Sequence, residues 1–313
     1  MILSRRSVFS LGLAGVMLPV SSRVALGADG VVRIGYQRYG SLILLKKKRF
    51  LEDALAGQGV IVQWAQFPAG PPMLQAMASG ALDFGQTGDL PPVFAQASTP
   101  GVLVYVGHEP QVGSSEAIIV PAESRIRTIG DLRGRKVAVT RGSDAHWLLL
   151  AALLKNGLSL CDVSVTYLLP ASARPAFETG VVDAWSIWDP FLSAAGRDVR
   201  VLATGLDVGG GTEFFMARRA FAEGQAGLLK VIRDAVARCD AWAQANKPEV
   251  VQILAAATGL DLEVVTRSVA KVIYDIQPVG PETIARQQSI ADAFHTAGLL
   301  PVAVDVSKAV VPA

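Results

Sequence analysis

The chain has 313 residues, 51% hydrophobic and 18% charged, enough for two sizeable cores, and its length predicts two domains. Its formal charge of +2 includes Arg5, Arg6 and Arg23 of an N-terminal stretch without acids; the remainder is near neutral and lacks the basic excess that nucleic acid demands. Two cysteines, three histidines and no Cys-x-x-Cys spacing give no recognisable metal site.

Residues 1–28, MILSRRSVFSLGLAGVMLPVSSRVALGA, join a basic start, an apolar run from Val8 to Val20 and small residues before Asp29. That is the pattern of an export signal, and the run is shorter than the roughly 20 residues of a bilayer span. Ser4-Arg5-Arg6 resembles a twin-arginine signal, although Phe9 sits one place later than usual. No cysteine closes the segment, so the expectation is a periplasmic product without a lipid anchor. Cys161 and Cys239 read as two small buried hydrophobes, with a disulfide as the alternative in an oxidising compartment.

The body is organised by a repeat. VVRIGYQRYGS (31–41) and KVAVTRGS (136–143) are each an apolar strand ending in Gly-Ser, and each precedes a long apolar run with helical character. VIVQWAQFPAG (60–70) and VSVTYLLPAS (163–172) follow as strands that reach Pro68 and Pro170 before a second helix. Those helices end at SGALDFGQTGD (79–89) and TGVVDAWSIWD (179–189), where Gly80, Asp83 and Asp89 match Gly180, Asp183 and Asp189. Gly80 and Gly180 suit the positions just past a helix end, where a left-handed backbone costs glycine little. Each block reads strand, helix, strand, helix, strand, the unit of an α/β lobe around a mostly parallel sheet flanked by helices.

Ligands of such sheets bind beyond the carboxyl ends of the strands, so two facing rims would make a cleft. The crossing runs through GHEPQVGSSEAIIVP and the return passes Gly209 to Gly211, a glycine connector. The expected organisation is residues 29–115 in the first lobe, 116–213 in the second, and 214–313 back on the first. Beyond Ala222, Leu228, Ile232, Ala235, Cys239 and Trp242 form an apolar stripe at helical spacing. These C-terminal helices are expected to cover the first lobe.

IGYQRYGSLILLKKK, QTGDLPPVFAQA, VYVGHEP, DLRGRKVAVTRGSDAHWLLLAALLKNGL and AFETGVVDAWSIWDPF resemble the aliphatic-sulfonate substrate-binding proteins of bacterial ABC uptake systems. The likeness runs from Ile34 to Phe191 and weakly onward through FFMARRAFAE and IQPVGPETI. It implies the two-lobed, type II periplasmic-binding-protein fold, a monomer that closes on its ligand, and a membrane permease as partner. The wider family also holds taurine, nitrate and thiamine-pyrimidine binders, and some relatives of the fold are enzymes. The sequence has no GxSxG, GxxxxGKS/T or HExxH, so a binder without cofactor is expected.

A sulfonate is a permanent anion that only accepts hydrogen bonds, and helix N-termini offer free N–H groups and positive potential. Gly40-Ser41 and Gly142-Ser143 stand at such termini, one per lobe; each reads equally as a plain N-cap and turn. Thr87-Gly88 adds a hydroxyl and a closely approaching backbone, Gln37 an amide donor and Arg141 a charge. Trp185 and Trp188 point to opposite faces of a strand, so Trp188, nearer the rim, is the expected wall for an apolar tail and Trp185 is expected in the core. Tyr39 and Trp147 are lesser candidates. Asp89 and Asp189 precede prolines and fit N-caps; the alternative is contact with a cationic group on the ligand, as an amino-sulfonate would bring.

Overall fold

The computed structural model describes residues 30–310 apart from Gln111, so the export-signal reading of residues 1–28 lies outside the described residues. The chain begins with β1 (Val31–Tyr36), α1 (Ser41–Lys48), α2 (Phe50–Ala54), β2 (Ile61–Gln66), α3 (Gly70–Ala78), β3 (Phe84–Thr87), α4 (Leu90–Ser98) and β4 (Leu103–His108). It crosses into β5 (Glu116–Pro121), β6 (Lys136–Val139), α5 (Asp144–Lys155), β7 (Ser164–Tyr167), α6 (Pro170–Glu178), β8 (Ala184–Trp188), α7 (Phe191–Ala194), β9 (Val199–Thr204) and α8 (Gly205–Val208). It returns as β10 (Phe214–Arg218), α9 (Arg219–Gly224), α10 (Ala226–Ala245), α11 (Lys247–Thr258), α12 (Leu262–Ala270) and α13 (Pro281–Thr296).

Two five-stranded sheets result, ordered β2-β1-β3-β10-β4 and β7-β6-β8-β5-β9. The orders match position for position, and in each the fourth strand alone runs antiparallel to its neighbours. That strand is the one by which the chain arrives from the other lobe. The two crossing segments bond to each other, Glu109 N–H to the Glu213 carbonyl (2.8 Å) and Val112 N–H to that of Gly211 (2.9 Å). They touch where Gly211 meets Gly113: a Cβ on Gly211 would lie 2.8 Å from the Gly113 Cα.

The repeat has a structural counterpart in detail. Gly80 and Gly180 have φ of 85° and 72°, one residue past the C-caps of α3 and α6. Asp83 accepts from Arg33 N–H (2.9 Å) and Asp183 from Lys136 N–H (2.8 Å), so each carboxylate clips its loop to the first residues of the neighbouring parallel strand. Asp83 is also bonded by Arg218 at 2.7 Å.

Both faces of each sheet are covered, as expected of largely parallel sheets. α1, α2 and α10 to α12 pack on one face of the first sheet and α3, α4 and α13 on the other, so the C-terminal helices do cover the first lobe. The stripe of α10 is buried at Leu228, Ile232, Ala235 and Cys239. Trp185 is buried against Phe177 (6.0 Å between ring centroids), as strand parity requires. Cys239 is buried in the core, but Cys161 is exposed, and both are free thiols; the reading of two buried cysteines is corrected because Cys161 falls on a short 3-10 turn at the surface, Leu160–Asp162. Among the described residues no helix is long and apolar enough to cross a membrane.

Candidate functional site

The carboxyl ends of β1, β3, β6 and β8 face each other between the lobes and enclose two adjoining chambers. The first, about 30 Å³, is lined by Gln37, Gly40, Thr87, Gly88, Ser143 and Trp188 among the expected residues, and by Tyr39, Gly70, Gln86, Pro91, Asp144 and Glu213. The second, about 50 Å³, shares Tyr39, Gly40, Asp144, Trp188 and Glu213 and adds Glu109, Glu116 and Asp189. Such volumes hold a few waters. The lobes are therefore closed, with α5 carrying Trp147 and His146 against Phe294 of the first lobe.

On the first lobe, the Gly40-Ser41 corner is already filled. The Gln86 amide oxygen accepts from the N–H groups of Ser41 (3.0 Å) and Leu42 (3.3 Å), and its amide donates to Glu109 (3.0 Å). The Ser41 hydroxyl, expected to face a ligand, is fully buried between Glu109 and Asp240, 2.6 Å from the latter. One hydroxyl has one proton to give, so one of these two carboxyls must hold a proton of its own. Burial and mutual repulsion favour this, raising Glu109 well above the carboxylate range, while burial pushes Asp240 up to about 6. Ser41 is thus structural, withdrawn from the cleft by acids on β4's end and on α10.

Thr87 is the contrasting case. Its hydroxyl is buried, lines the first chamber and has no hydrogen-bond partner. Gly70, at the start of α3, makes room for it: a Cβ there would sit 1.9 Å from the Thr87 oxygen. Gln37 reaches the Gln86 carbonyl at 3.4 Å and also lines this chamber.

On the second lobe, Ser143 is the N-cap residue of α5, but its hydroxyl donates to the Thr140 carbonyl (2.8 Å) rather than to the helix or the chamber. Gly142 and Arg141 lie outside the chambers. They border a separate apolar groove of about 600 Å³ with Pro71, Leu74 and Phe94, and exposed Arg141 stacks over Tyr167 at 5.6 Å. That groove meets the first chamber only at Pro91. His146 is buried beneath, its Nδ1 accepting from Gly142 N–H (3.2 Å); burial and Arg141 lower it to about 4, so it is a neutral structural histidine.

The two aspartates part company. Asp89 occupies the N-cap position of α4 but makes no capping bond; its carboxylate accepts from Gly211 N–H (3.1 Å), tying that rim to the crossing segment. The capping expectation is corrected here: the residue's backbone is already helical, unlike the extended backbone of an ordinary N-cap, and its side chain makes no capping bond. Asp189 does accept from the first turn of α7, at Ser193 N–H (2.9 Å), and also pairs with Lys271 from the other lobe at 2.7 Å. Trp188 is half-buried, lines both chambers and lies edge-on to Phe191.

Gln86, Asp144, Glu116 and Glu213 were not among the expected residues. Asp144 projects from the first turn of α5 onto Gly88 of the other lobe, where a Cβ would come within 2.0 Å of its carboxylate. Asp144 and Glu116 are raised well above the usual range and Glu213 to about 7, by burial first and then by neighbouring acids. The Asp of TRGSD was legible as a helix first-turn acid; its position across the cleft was not.

Residues 56–250 match the family described as NMT1/THI5 like. A protein of Escherichia coli (strain K12) named as aliphatic sulfonates-binding is 40% identical over 309 residues, covering 97% of this chain and 96% of its own length. The alkanesulfonate-binding protein SsuA from Xanthomonas axonopodis pv. citri, solved bound to MOPS, superimposes with a TM-score of 0.85 at 39% identity, covering 91% of this chain and 99% of that one. The periplasmic aliphatic sulphonate binding protein SsuA from Escherichia coli gives 0.82 at 40% identity, covering 91% and 93%.

Proposed function

Because this chain belongs to the NMT1/THI5-like family, among the aliphatic sulfonate-binding proteins, we propose that it is the periplasmic solute-binding component of an ABC importer. It closes its two lobes on a sulfonate and delivers it, as a monomer, to a membrane permease. It works by binding and not by turnover, and reaches the periplasm through the N-terminal signal.

The observation that supports a sulfonate best is the Thr87 hydroxyl. A buried donor without a partner costs free energy unless a ligand satisfies it, and this one faces a chamber shared by both lobes. Gln37 and the backbone at Gly88 extend the donor set, while Trp188 and Tyr39 supply apolar wall. A sulfonate accepts through three oxygens and matches donors of this kind. The lobes must part for entry, since the chambers as closed admit only water.

The test is a thermal-shift series with alkanesulfonates, nitrate, sulfate and pyrimidines, because a ligand that binds only the folded state raises apparent stability by mass action. A concentration-dependent rise with sulfonates is expected. No rise with any sulfonate at millimolar concentration would overturn the proposal. X-ray scattering should show a smaller radius of gyration with saturating sulfonate.

A further inference from the structure

Where the lobes meet, the second chamber is walled by acids without a counter-charge. Glu116 on β5, Asp144 on α5 and Glu213 on the returning segment all line it, and among the described residues none of the three forms an ion pair. Glu116 is 1% exposed and its Oε1 has no hydrogen-bond partner. The same holds for Asp144 Oδ1 and for Asp89 Oδ1, whose other oxygen holds Gly211 on the chamber wall. Glu116 is also fixed in place, since its carboxylate leaves no room for a Cβ on Gly205 or Gly210. The other titratable groups on this chamber bring no free positive charge. Glu109 bonds Ser41 and Gln86 within the first lobe, Asp189 takes up Ser193 N–H and Lys271, and Tyr39 adds a phenol that burial keeps neutral. Along α5, His146 is neutral, and Arg141 before it is turned out over Tyr167.

Ionised carboxylates in such a place repel one another and lack donors, whereas a carboxyl that holds a proton carries no charge. Burial first, and then the neighbouring acids, raise Glu116 and Asp144 well above the usual carboxylate range and Glu213 to about 7. The Leu90 backbone, which favours ionised Asp144, offsets only part of this. The cluster depends on closure: Asp144 rests on Gly88 of the first lobe, so parting the lobes withdraws it from Asp89 and Glu213 and lets water reach them all. Resting on the reading that the lobes close on a sulfonate, we propose that Glu116, Asp144 and Glu213 form a proton-binding cluster completed by closure, so that the protein takes up protons from solvent together with its anion. The protons cancel the charge that the acids would otherwise turn on the anion, and acid thereby favours the closed form. An acid that holds its proton more tightly closed than open supports closure fully below its open-state value and loses that support as pH rises through its closed-state value. For Glu213 the loss spreads from the ordinary 4.5 up to about 7.

The test is calorimetric titration of the unaltered protein with the plain alkanesulfonate that gives the largest thermal shift. Run at pH 6.5 in two buffers of different ionisation enthalpy, it counts the protons taken up. An alkanesulfonate does not titrate in this range, so any uptake belongs to the protein. Uptake of about one proton is expected, with a Kd at least tenfold lower at pH 5.5 than at pH 8. Asp144→Asn combined with Glu213→Gln should at least halve the uptake; undiminished uptake in the folded double variant would place the protons elsewhere and overturn the assignment. No uptake on binding to the unaltered protein would overturn the cluster while leaving the sulfonate reading intact. If no alkanesulfonate binds, the sulfonate reading falls and scattering from the ligand-free protein decides the cluster. A smaller radius of gyration at pH 5.5 than at pH 8 then supports it, and equal radii overturn it. Uptake and scattering are both measured on the unaltered protein, so they decide the matter even if the double variant does not fold.

Discussion

Replacing Gln86 by leucine should destabilise the protein through two separate losses. Among the described residues, the Gln86 side-chain oxygen is the acceptor at the N-terminus of α1, serving the N–H groups of both Ser41 and Leu42. Loss of a cap costs roughly 0.5–2 kcal/mol. The amide also donates to Glu109, which is 3% exposed, and a buried acceptor left short of a donor costs about 1–3 kcal/mol. Leucine fills much of the glutamine volume, so cavity formation adds little, and the sum is about 1.5–5 kcal/mol. Urea unfolding followed by fluorescence and by circular dichroism measures it, with coincidence of the two probes showing whether both lobes unfold together. A loss below about 0.5 kcal/mol would refute the assignment of Gln86 as the plug of α1. Gln86→Glu sharpens the test, because a carboxylate still accepts from the helix but confronts Glu109; it should be tolerated at pH 5 and costly at pH 8.

Three other outcomes are expected. Asp89 and Asp240, each raised from 3.8 to about 6, and Glu213, raised from 4.5 to about 7, hold their protons more tightly folded than unfolded. Their contribution is therefore full below about pH 4 and lost as pH rises through 6 to 7, on the order of 3 kcal/mol for each shift of about two units; ligand-free stability that stays flat or rises over pH 4.5 to 8 in urea titrations would contradict this. Gly88→Ala puts a methyl where the Asp144 carboxylate rests in the closed state, so ligand affinity should fall while urea stability changes little, and Asp144→Ser in the same chain should recover closure as read by scattering. Asp83→Ala should cost about 2–3 kcal/mol, since it removes the Arg218 bond as well as the Arg33 N–H bond, and Asp183→Ala about 1 kcal/mol for its backbone bond alone; equal costs by denaturation would show that the arginine adds nothing.

Features with a local cause were legible in the sequence. Gly80 and Gly180 announce helix ends because only glycine takes that backbone cheaply, and the alternation of Trp185 and Trp188 follows from strand parity. The shared order of the blocks gave the paired α/β sheets, although not the antiparallel strand each receives from its partner lobe. The hydroxyl of Ser41 could not be placed in this way. Its partners come from positions 109 and 240, brought together only when α1 packs against α10 and the end of β4. The same applies to Asp144, whose neighbour Gly88 belongs to the other lobe.

The divergence of the two copies at equivalent positions explains why the cleft is not symmetric. Gln86 and Ser186 are 100 residues apart on matching strands. Gln86 is long enough to reach the N-terminus of α1 and closes it; Ser186 is short and donates instead to the Ala145 carbonyl of α5 (2.7 Å). The first turn of α5 is thus left without a plug from its own sheet, and Asp144 projects from it into the cleft. One residue later in each strand the copies again differ in a complementary sense. Thr87 presents an unsatisfied hydroxyl, whereas Ile187 is buried in the core. At the next step, Gly88 offers bare backbone and Trp188 a large aromatic face, both on the first chamber. A duplicated scaffold with identical rims would bind the same group twice. With the Thr87 hydroxyl and bare Gly88 backbone on one rim and Asp144 and Trp188 on the other, the two copies present different chemistry to one cleft.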